Sequence, residues 1–251
     1  MQSLVLGRFQ ARFAKSDAEI AQAIELRTNV FRPGQGVADS DHFDDRCQHV
    51  VVIDDKTGQL VATCRILSLE TGAALSHSYT GQYYDLALLG QYPRPILEIG
   101  RFCLGSTTNR AVVLRTIWAF LTRVVDTQGI GFLCGCSSFT GTDPASYRDA
   151  FSMLLNKHTA PLEWAPAVGA NDTFDLFELT GTPCDHKTAM ATIPALLKTY
   201  LTMGGWVSEH AVIDHDLNTI HVFTGLEIDN IPPARARALR ALAVDAGPIK
   251  Q

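Results

Sequence analysis

The sequence lacks several features that define large classes of protein. It has no basic excess, because 21 lysine and arginine residues face 26 aspartate and glutamate residues, so it lacks the positive charge that holds a polyphosphate backbone. No apolar run approaches the roughly 20 residues that span a bilayer. The start, MQSLVLGRFQARF, lacks the charged segment, apolar stretch and cleavage site of a secretory signal. We therefore expect a cytoplasmic globular protein that does not bind nucleic acid.

Cysteine is present, but without the spacing of a metal site or of a disulfide framework. The six cysteines are scattered at positions 47, 64, 103, 134, 136 and 184. Cys134 and Cys136, in C-G-C, are predicted to be buried thiols on one face of a strand rather than ligands. His42 and His49 lie beside acidic residues, but zinc and hard-ion sites show denser and more regular ligands. The sequence therefore predicts no metal and no bound cofactor.

The chain does have enough apolar residues for a full core, since 46% of its 251 residues are hydrophobic. The clearest signals are a helix from an S-x-x-E capping box at 16–19 to Pro33, a hairpin turning at 55–58, and a helix over 107–128 stopped by Gly129. The last third predicts, in order, a strand over 173–179, a helix over 194–200, strands near 207–213 and 219–224, and a short helix after Pro232. This order indicates an α/β protein of the α+β kind, with a mixed, mostly antiparallel central sheet flanked by helices.

One predicted strand carries two charges that a buried strand does not need. The stretch ILEIGRFCL, residues 96–104, contains Glu98 and Arg101. Regular alternation would point these side chains to opposite faces of the sheet. Gly100 between them is typical of a bulge, which would turn both toward one cleft. The alternatives are a buried structural ion pair or an edge strand with solvated charges, but proteins seldom bury a carboxylate without a partner or a use.

Motifs along the whole chain resemble one family. They are LRTNVF at 26–31, FDDRCQHVVV at 43–52, VATCRIL at 61–67, LEIGRFCL at 97–104, LCGCSSFTG at 133–141, IPALLKTYLTMGGWV at 193–207 and AVIDHDLNTIHVF at 211–223. In this order they are similar to the GNAT-fold ornithine N-alpha-acyltransferases, which make ornithine lipids. The first four are also similar to the acyl-homoserine lactone synthases, but the two C-terminal segments favour the lipid enzymes.

The resemblance implies a single GNAT-like domain over residues 1–251, with its core in 1–158 and a C-terminal elaboration in 159–251. It implies transfer of a fatty acyl group, typically a 3-hydroxyacyl chain, from acyl carrier protein to the α-amine of an amino acid. Ornithine is the leading acceptor, and a lyso-ornithine lipid is then the product. The donor is the acyl-phosphopantetheine of the carrier protein, which is a partner rather than a bound cofactor.

Aminolysis of a thioester needs a group that accepts the amine proton and donors aimed at the developing oxyanion. Glu98 is the candidate base, directly or through a water molecule, and Arg101 is the second candidate catalytic residue. The backbone N–H groups of Phe102 and Cys103 are candidate oxyanion donors. We predict no covalent acyl-enzyme, because no histidine and orienting acid lie near Cys103 in the sequence.

An amino-acid acceptor brings a carboxylate, and a bidentate arginine suits it. Arg27, Arg65 and Arg101 fall at motif positions that match the family, although each has structural pairing with nearby acids as its alternative. The acidic run at Asp41, Asp44 and Asp45 is either an acid for a basic acceptor side chain or a solvated loop. The other candidate substrate-binding residues come from the matching motifs: Phe31, Asp44, Ser137 and Ser138.

Enzymes of this fold that use acetyl-CoA normally carry a Q/R-x-x-G-x-G/A loop for the pyrophosphate. The corresponding junction here, LGSTTNRAVVLR, has a single glycine, which agrees with a carrier arm that bears only one phosphate. Arg110 and Arg115, with Arg123, are predicted either to meet an acidic carrier protein or to form a solvated helix face.

Two alternatives to the acyltransferase remain from the sequence. One is an enzyme like the acyl-homoserine lactone synthases, and the other is a non-catalytic acyl-binding protein on the same scaffold. The segment PPARARALRALAV, residues 232–244, has three arginines and an apolar stripe. It predicts either peripheral attachment to the inner membrane or an ordinary terminal helix.

Overall fold

The computed structural model describes residues 3–107 and 109–245. The chain forms two compact units, which we call unit 1 (the described residues of 1–68, 99–130 and 233–251) and unit 2 (69–98 and 131–232). The strands are β1 (Leu4–Leu6), β2 (Phe9–Phe13), β3 (Gln48–Asp54), β4 (Gln59–Leu69), β5 (Tyr84–Asp85), β6 (Ile96–Leu104), β7 (Phe132–Thr140), β8 (Ala167–Val168), β9 (Thr173–Asp175), β10 (Trp206–Asp214) and β11 (Thr219–Glu227). The helices are α1 (Asp17–Phe31), α2 (Arg110–Gln128), α3 (Arg148–Lys157), α4 (His186–Thr192), α5 (Ala195–Thr202) and α6 (Pro233–Asp245).

Unit 1 is a sheet with the strand order β1-β2-β3-β4-β6, in which β1 to β4 are antiparallel. Ser16 caps α1 as predicted, and its side chain accepts a hydrogen bond from the backbone N–H of Glu19. Helix α2 packs against β1, β2 and α6. Strands β1 and β2 form a hairpin that turns at Gly7, whose φ of 61° is a left-handed conformation that favours glycine.

Unit 2 has the strand order β6-β7-β11-β10-β9. Strands β6 and β7 are parallel over three residue pairs, ending at Glu98 and Cys134, and the later neighbours are antiparallel. One face of β7, β10 and β11 packs on helices α3, α4 and α5. The fully buried members of that core include Phe139, Phe151, Leu154, Leu176, Leu197, Val207 and Val222.

The predicted fold class, a mixed and mostly antiparallel sheet flanked by helices, is confirmed. The predicted hairpin of β3 and β4 is confirmed. The predicted end of α2 at Gly129, whose φ is 63°, is also confirmed. The strand predicted over 173–179 ends at Asp175, because Leu176–Leu179 form a 3₁₀ helix that the Asp175 side chain caps. Helix α4 was not predicted. The assignment of one domain with its core in 1–158 stays a prediction.

In the described ranges, no helix combines the length and apolar character needed to cross a membrane. Among the same residues, no group of three or more histidine, cysteine, aspartate and glutamate side chains is arranged to hold a metal ion.

Candidate active site

Four arginines and three aspartates form an ion network in unit 1. They are Arg27 on α1, Arg32 just after it, Asp39, Asp41 and Asp44 in the loop that follows, Arg65 on β4 and Arg101 on β6. Every member has a partner of opposite charge, and paired, hydrogen-bonded charges tolerate burial where a single charge does not. The network therefore joins one helix, one loop and two strands of unit 1.

Arg27 is the buried end of this network. Its Nε lies 2.8 Å from Oδ2 of Asp39, one Nη donates to the Asp39 carbonyl oxygen at 2.6 Å, and both Nη atoms donate to Asp44. The side chain is fully buried. Arg27 was predicted to bind substrate, but the structure commits its guanidinium to protein carboxylates, so the structural alternative describes it better.

Asp41 and Arg101 are the more open end of the network. Arg65 holds Asp41 through two parallel hydrogen bonds of 2.6 and 2.8 Å, and it also donates to Asp44 at 2.9 Å. Arg101 donates from Nε to Asp39 at 3.1 Å and from Nη2 to Asp41 at 3.3 Å. The side chains of Asp41 and Arg101 are 24% and 10% exposed, against 1% for that of Arg27. Asp41 and Arg101 are therefore more accessible to solvent than Arg27 is.

The network keeps the carboxylates of Asp41 and Asp44 charged. Burial by itself raises the pKa of Asp44, but hydrogen bonds from Arg27 and Arg65 outweigh this and hold that pKa well below its usual range. Arg65 and Arg101 lower the pKa of Asp41 in the same way. His49 lies against this network with Nε2 3.1 Å from the Asp44 carbonyl oxygen, and burial lowers the pKa of His49.

The backbone of β6 departs from regular geometry at Arg101, which has a φ of 49°. The prediction placed this irregularity at Gly100, one residue earlier. A left-handed φ at a residue other than glycine is a strained conformation that clusters at functional sites. The Cβ position of Gly100 lies 3.6 Å from Nε of Arg65, so the glycine leaves room beside that guanidinium. Phe102 is half-buried and Cys103 is buried, and burial raises the pKa of the Cys103 thiol to about 12.

Glu98 belongs to unit 2 and is 4% exposed. Its Oε1 accepts hydrogen bonds from the backbone N–H and the hydroxyl of Thr80, both at 2.7 Å, and its Oε2 accepts one from the N–H of Tyr79 at 3.0 Å. These donors begin a 3₁₀ helix over Thr80–Gln82. The carboxylate therefore holds a turn of the chain in place.

The other predicted site residues lie at several places. Ser137 is buried and its Oγ accepts a hydrogen bond from Thr224, whereas Ser138 is exposed and pairs with His221 in the ladder of β7 and β11. Phe31 is the half-buried last residue of α1. Arg110 and Arg115 are exposed on α2.

Sequence reasoning missed one residue of the ion network in unit 1 and two residues of unit 2. Asp39 lies two residues before the acidic run that drew attention and is the partner of both Arg27 and Arg101. Thr80 lies in a stretch with no periodic pattern. Tyr84, with its hydroxyl 3.0 Å from Nδ1 of His221, belongs to a contact between residues 137 positions apart, which no local pattern signals.

The contacts of Arg123 do not agree with the surface role that the sequence suggested for this residue. Its Nε donates to the Ala243 carbonyl oxygen at 2.8 Å, and its Nη1 donates to that of Ser3 at 3.2 Å. Because both contacts hold other parts of unit 1, we remove Arg123 from the candidate carrier surface.

Comparisons with known proteins agree with this architecture. Residues 26–119 match the model of the acetyltransferase (GNAT) domain. The chain is 30% identical to an L-ornithine N(alpha)-acyltransferase of Rhodobacter capsulatus, over 85% of this chain and 88% of that protein. It is also 30% identical to an L-ornithine N(alpha)-acyltransferase of Rhizobium meliloti, over 97% of this chain and 88% of that protein.

Among solved structures, FeeM, an N-acyl amino acid synthase from uncultured soil microbes, has the same fold. The two superpose with a TM-score of 0.52 and 12% sequence identity, and the match covers 96% of this chain and 99% of FeeM.

Proposed function

Because the chain belongs to the L-ornithine N(alpha)-acyltransferase family, we propose that it transfers a fatty acyl group to the α-amino nitrogen of ornithine. This proposal rests on one observation: the chain is 30% identical in sequence to an L-ornithine N(alpha)-acyltransferase, and the match covers 88% of that protein. In the reaction an N–C bond forms, the C–S bond of the thioester breaks, and the proton lost by the amine ends on the released thiol. The protein must orient the acceptor, accept the proton in transit and stabilise the oxyanion.

The acceptor binds at the open end of the ion network in this proposal. Arg101 meets the acceptor carboxylate, and Asp41 meets the side-chain ammonium. The exposure of these two side chains supports the roles, because Arg27, Asp39, Asp44 and Arg65 are more deeply buried. Asp44, the acid predicted from the family motif, keeps a supporting role because Arg27 and Arg65 already occupy its oxygens.

Glu98 enters the proposal as a positioning residue. Two hydrogen bonds from Thr80 fill the acceptor sites of Oε1, and Tyr79 occupies one site of Oε2. Direct proton transfer to Oε1 would have to displace a hydrogen bond. We propose that Glu98 holds the turn at Tyr79 and Thr80, and its role as base stays a prediction.

An acyl carrier protein is the proposed donor. The β6–α2 junction has a single glycine, Gly105, which does not resemble a phosphate-binding glycine. Its N–H already donates to the Val61 carbonyl oxygen at 2.9 Å. A Cβ atom added at this glycine would lie 2.9 Å from the Leu26 side chain. Close packing accounts for this glycine. Arg110 and Arg115 are exposed and suit the acidic surface of a carrier protein. Reversing both charges should raise KM for an acyl carrier protein and leave KM for an acyl-pantetheine unchanged.

The product would be a lipid that must reach a membrane. Arg235 and Arg237 are exposed on α6, whereas Arg240 pairs with Asp126 at 3.0 Å. Two exposed arginines supply weak attraction to an anionic surface. Flotation with vesicles of phosphatidylglycerol and phosphatidylcholine, with and without Arg235→Glu and Arg237→Glu, tests this attachment.

The function itself is tested by incubating the purified protein with 3-hydroxyacyl carrier protein and a panel of ornithine, lysine, glutamine and glycine. Thiol release and product mass are measured. We expect an N-acylated ornithine as the product. Asp41→Asn should reduce turnover of ornithine more than turnover of glutamine, because of these two acceptors ornithine alone has a side-chain ammonium. Absence of transfer to every amine would contradict the acyltransferase. Preference for a coenzyme A thioester would contradict only the donor.

A further inference from the structure

Asp39 is a buried carboxylate of unit 1 to which the proposed function gives no role. Its side chain is 1% exposed, and Oδ2 accepts a hydrogen bond from Nε of Arg27 at 2.8 Å. Both of its oxygens accept hydrogen bonds from Nε of Arg101, at 3.1 and 3.2 Å. Nε of Arg32 lies 3.6 Å from Oδ1. Asp39 therefore connects the fully buried Arg27 with Arg101, the arginine that the proposed function places against the acceptor.

The backbone of Asp39 is also held in place. Its N–H donates to the hydroxyl of Thr28 on α1 at 2.9 Å, and its carbonyl oxygen accepts a hydrogen bond from Nη2 of Arg27 at 2.6 Å. The Thr28 hydroxyl donates in turn to the Ile24 carbonyl oxygen of the same helix at 2.7 Å. Because hydrogen bonds fix both its backbone and its side chain to α1, Asp39 is a rigid support for a side chain that comes from another element.

The contact with Asp39 orients the guanidinium of Arg101. A guanidinium can hold a carboxylate through the edge that contains Nε or through the edge formed by its two Nη atoms. Asp39 binds Nε of Arg101, whereas the hydrogen bond from Nη2 of Arg101 to Asp41 is longer, at 3.3 Å. Asp39 therefore determines the direction in which the Nη edge of Arg101 points.

The backbone and the charge of Arg101 both depend on this contact. Arg101 has a φ of 49°, and a residue with a Cβ keeps such a conformation only when its surroundings hold it there. The hydrogen bonds from Nε to Asp39 join this point of β6 to the loop after α1. Asp39 also shares one negative charge among three guanidinium groups. It therefore orients Arg101 without cancelling the positive charge that attracts a carboxylate.

We propose that Asp39 is a positioning residue for the acceptor, because it aims the Nη edge of Arg101 at the α-carboxylate of ornithine. This inference rests on the proposed function and adds to it a residue that sets acceptor selectivity. Asp39 itself does not touch the acceptor and takes no proton. Its effect should therefore appear with acceptors that carry a carboxylate, whereas general damage to the fold would affect every acceptor alike.

The test compares ornithine with putrescine, which is ornithine without its carboxylate. The measured quantity is the selectivity, defined as kcat/KM for ornithine divided by kcat/KM for putrescine. We expect Asp39→Asn to lower the selectivity about tenfold or more, which is the effect of one hydrogen bond to a charged group, mainly through KM for ornithine. Asp44→Asn is the matched control, because Asp44 is also buried and also binds Arg27, but its second arginine partner is Arg65 rather than Arg101. It should slow both acceptors together and keep the selectivity within about twofold.

A double variant shows whether Asp39 acts through Arg101. Arg101→Met should remove most of the selectivity, and Asp39→Asn added to it should lower the selectivity no further. A further fall would mean that Asp39 acts by another route, and it would overturn the inference. Equal losses for ornithine and putrescine in Asp39→Asn would overturn it as well.

A milder variant covers the case in which Asp39→Asn does not fold, which circular dichroism and thermal unfolding establish. Thr28→Val removes the hydroxyl that accepts the Asp39 N–H and keeps the carboxylate. It should lower the selectivity in the same direction, by about two- to fivefold. Unchanged selectivity in a folded Thr28→Val, with Asp39→Asn unfolded, would overturn the inference.

Calorimetric titration with ornithine and putrescine separates this inference from the proposed function, because it measures acceptor binding without transfer. We expect Asp39→Asn to weaken binding of ornithine and to leave binding of putrescine nearly unchanged. Absence of transfer by the wild type to every amine, with ornithine binding that still depends on Asp39, would contradict the proposed function alone. Transfer by the wild type with the same ornithine affinity in Asp39→Asn would contradict the positioning role alone. Absence of both transfer and binding would overturn both.

Discussion

The backbone N–H and the hydroxyl of Thr80 donate to the same oxygen of Glu98, each at 2.7 Å. Two donors on one carboxylate oxygen fix the direction of the side chain. Thr80→Val removes the hydroxyl and keeps the shape, and hydrogen bonds to charged groups contribute about 1.5–3 kcal/mol. We expect urea unfolding to show a loss of that size, whereas Thr80→Ser should lose less than half as much. Equal losses in the two variants would show that the hydroxyl is unimportant.

Arg27 should matter to stability. Removing one partner of a buried ion pair leaves uncompensated charge and costs about 3–5 kcal/mol. Arg27→Met leaves Asp39 and Asp44 without their main cation, so its free energy of unfolding should fall by that amount. Arg110→Met is the control, because Arg110 is exposed and its loss should change stability by less than about 0.5 kcal/mol. Similar stability of the two variants would contradict the assignment.

Arg101 offers a direct measurement of backbone strain. Its φ is 49°, and this conformation costs a residue with a Cβ about 1–2 kcal/mol. Arg101→Gly and Arg101→Ala lose the same guanidinium, so we expect the glycine variant to be more stable by about 1 kcal/mol. At Ala238, in α6, replacement by glycine should instead destabilise by about 1 kcal/mol. Relative to alanine, glycine should therefore raise the free energy of unfolding at position 101 and lower it at position 238.

Stability should fall as pH drops from 7 to 5. Burial lowers the pKa of His49, His158 and His210, so the unfolded chain, with histidine near about 6.5, binds protons first. The stabilising contribution is present above that value and is lost as pH falls through it toward the folded pKa. Urea midpoints measured at pH 7, 6 and 5 check this. His49→Gln should flatten the slope, and His186→Gln, at an exposed position, should leave it unchanged.

The thiols should differ sharply in reactivity. Burial raises the pKa of Cys103 to about 12 and raises the pKa values of Cys64 and Cys134 as well, whereas Cys184 is exposed. Because the thiolate is the reactive form, a colorimetric thiol reagent should label Cys184 rapidly and these three slowly. Cys103→Ser should keep its transfer rate within about threefold, since no acyl-cysteine forms in the proposal. A large loss of turnover with intact folding would argue for a covalent intermediate.

Sequence patterns located the regular elements well and the irregular ones poorly. Helix α2 and the β3–β4 hairpin have periodic apolar residues and turn chemistry, so their ends could be placed closely. The stretch after β4 consists largely of short 3₁₀ helices at Gly72–His77, Thr80–Gln82 and Leu89–Gln91. Such short turns carry no repeating pattern. No sequence pattern therefore indicated that Thr80 is the partner of Glu98.

The ion network could be predicted in part. Arg27, Arg65, Arg101 and Asp44 lie in motifs that suggested a site, but the pairing among them could not be predicted. Arg65 and Asp41 are 24 positions apart, and Arg101 and Asp39 are 62 apart. Which arginine pairs with which aspartate depends on how a loop lies against two strands. The sequence thus indicated the right residue types and left their division into structural and ligand-binding roles open.

The last helix has a consequence for biosynthesis. Unit 1 draws on three separate stretches of chain, and α6 is the final one. On the ribosome, all of unit 2 is made before α6 can pack on α2 and accept the Arg123 hydrogen bond at Ala243. The nascent protein therefore carries the bare side of α2 until residues 233–245 have left the ribosome, and a chaperone that covers apolar surface can bind there during that interval.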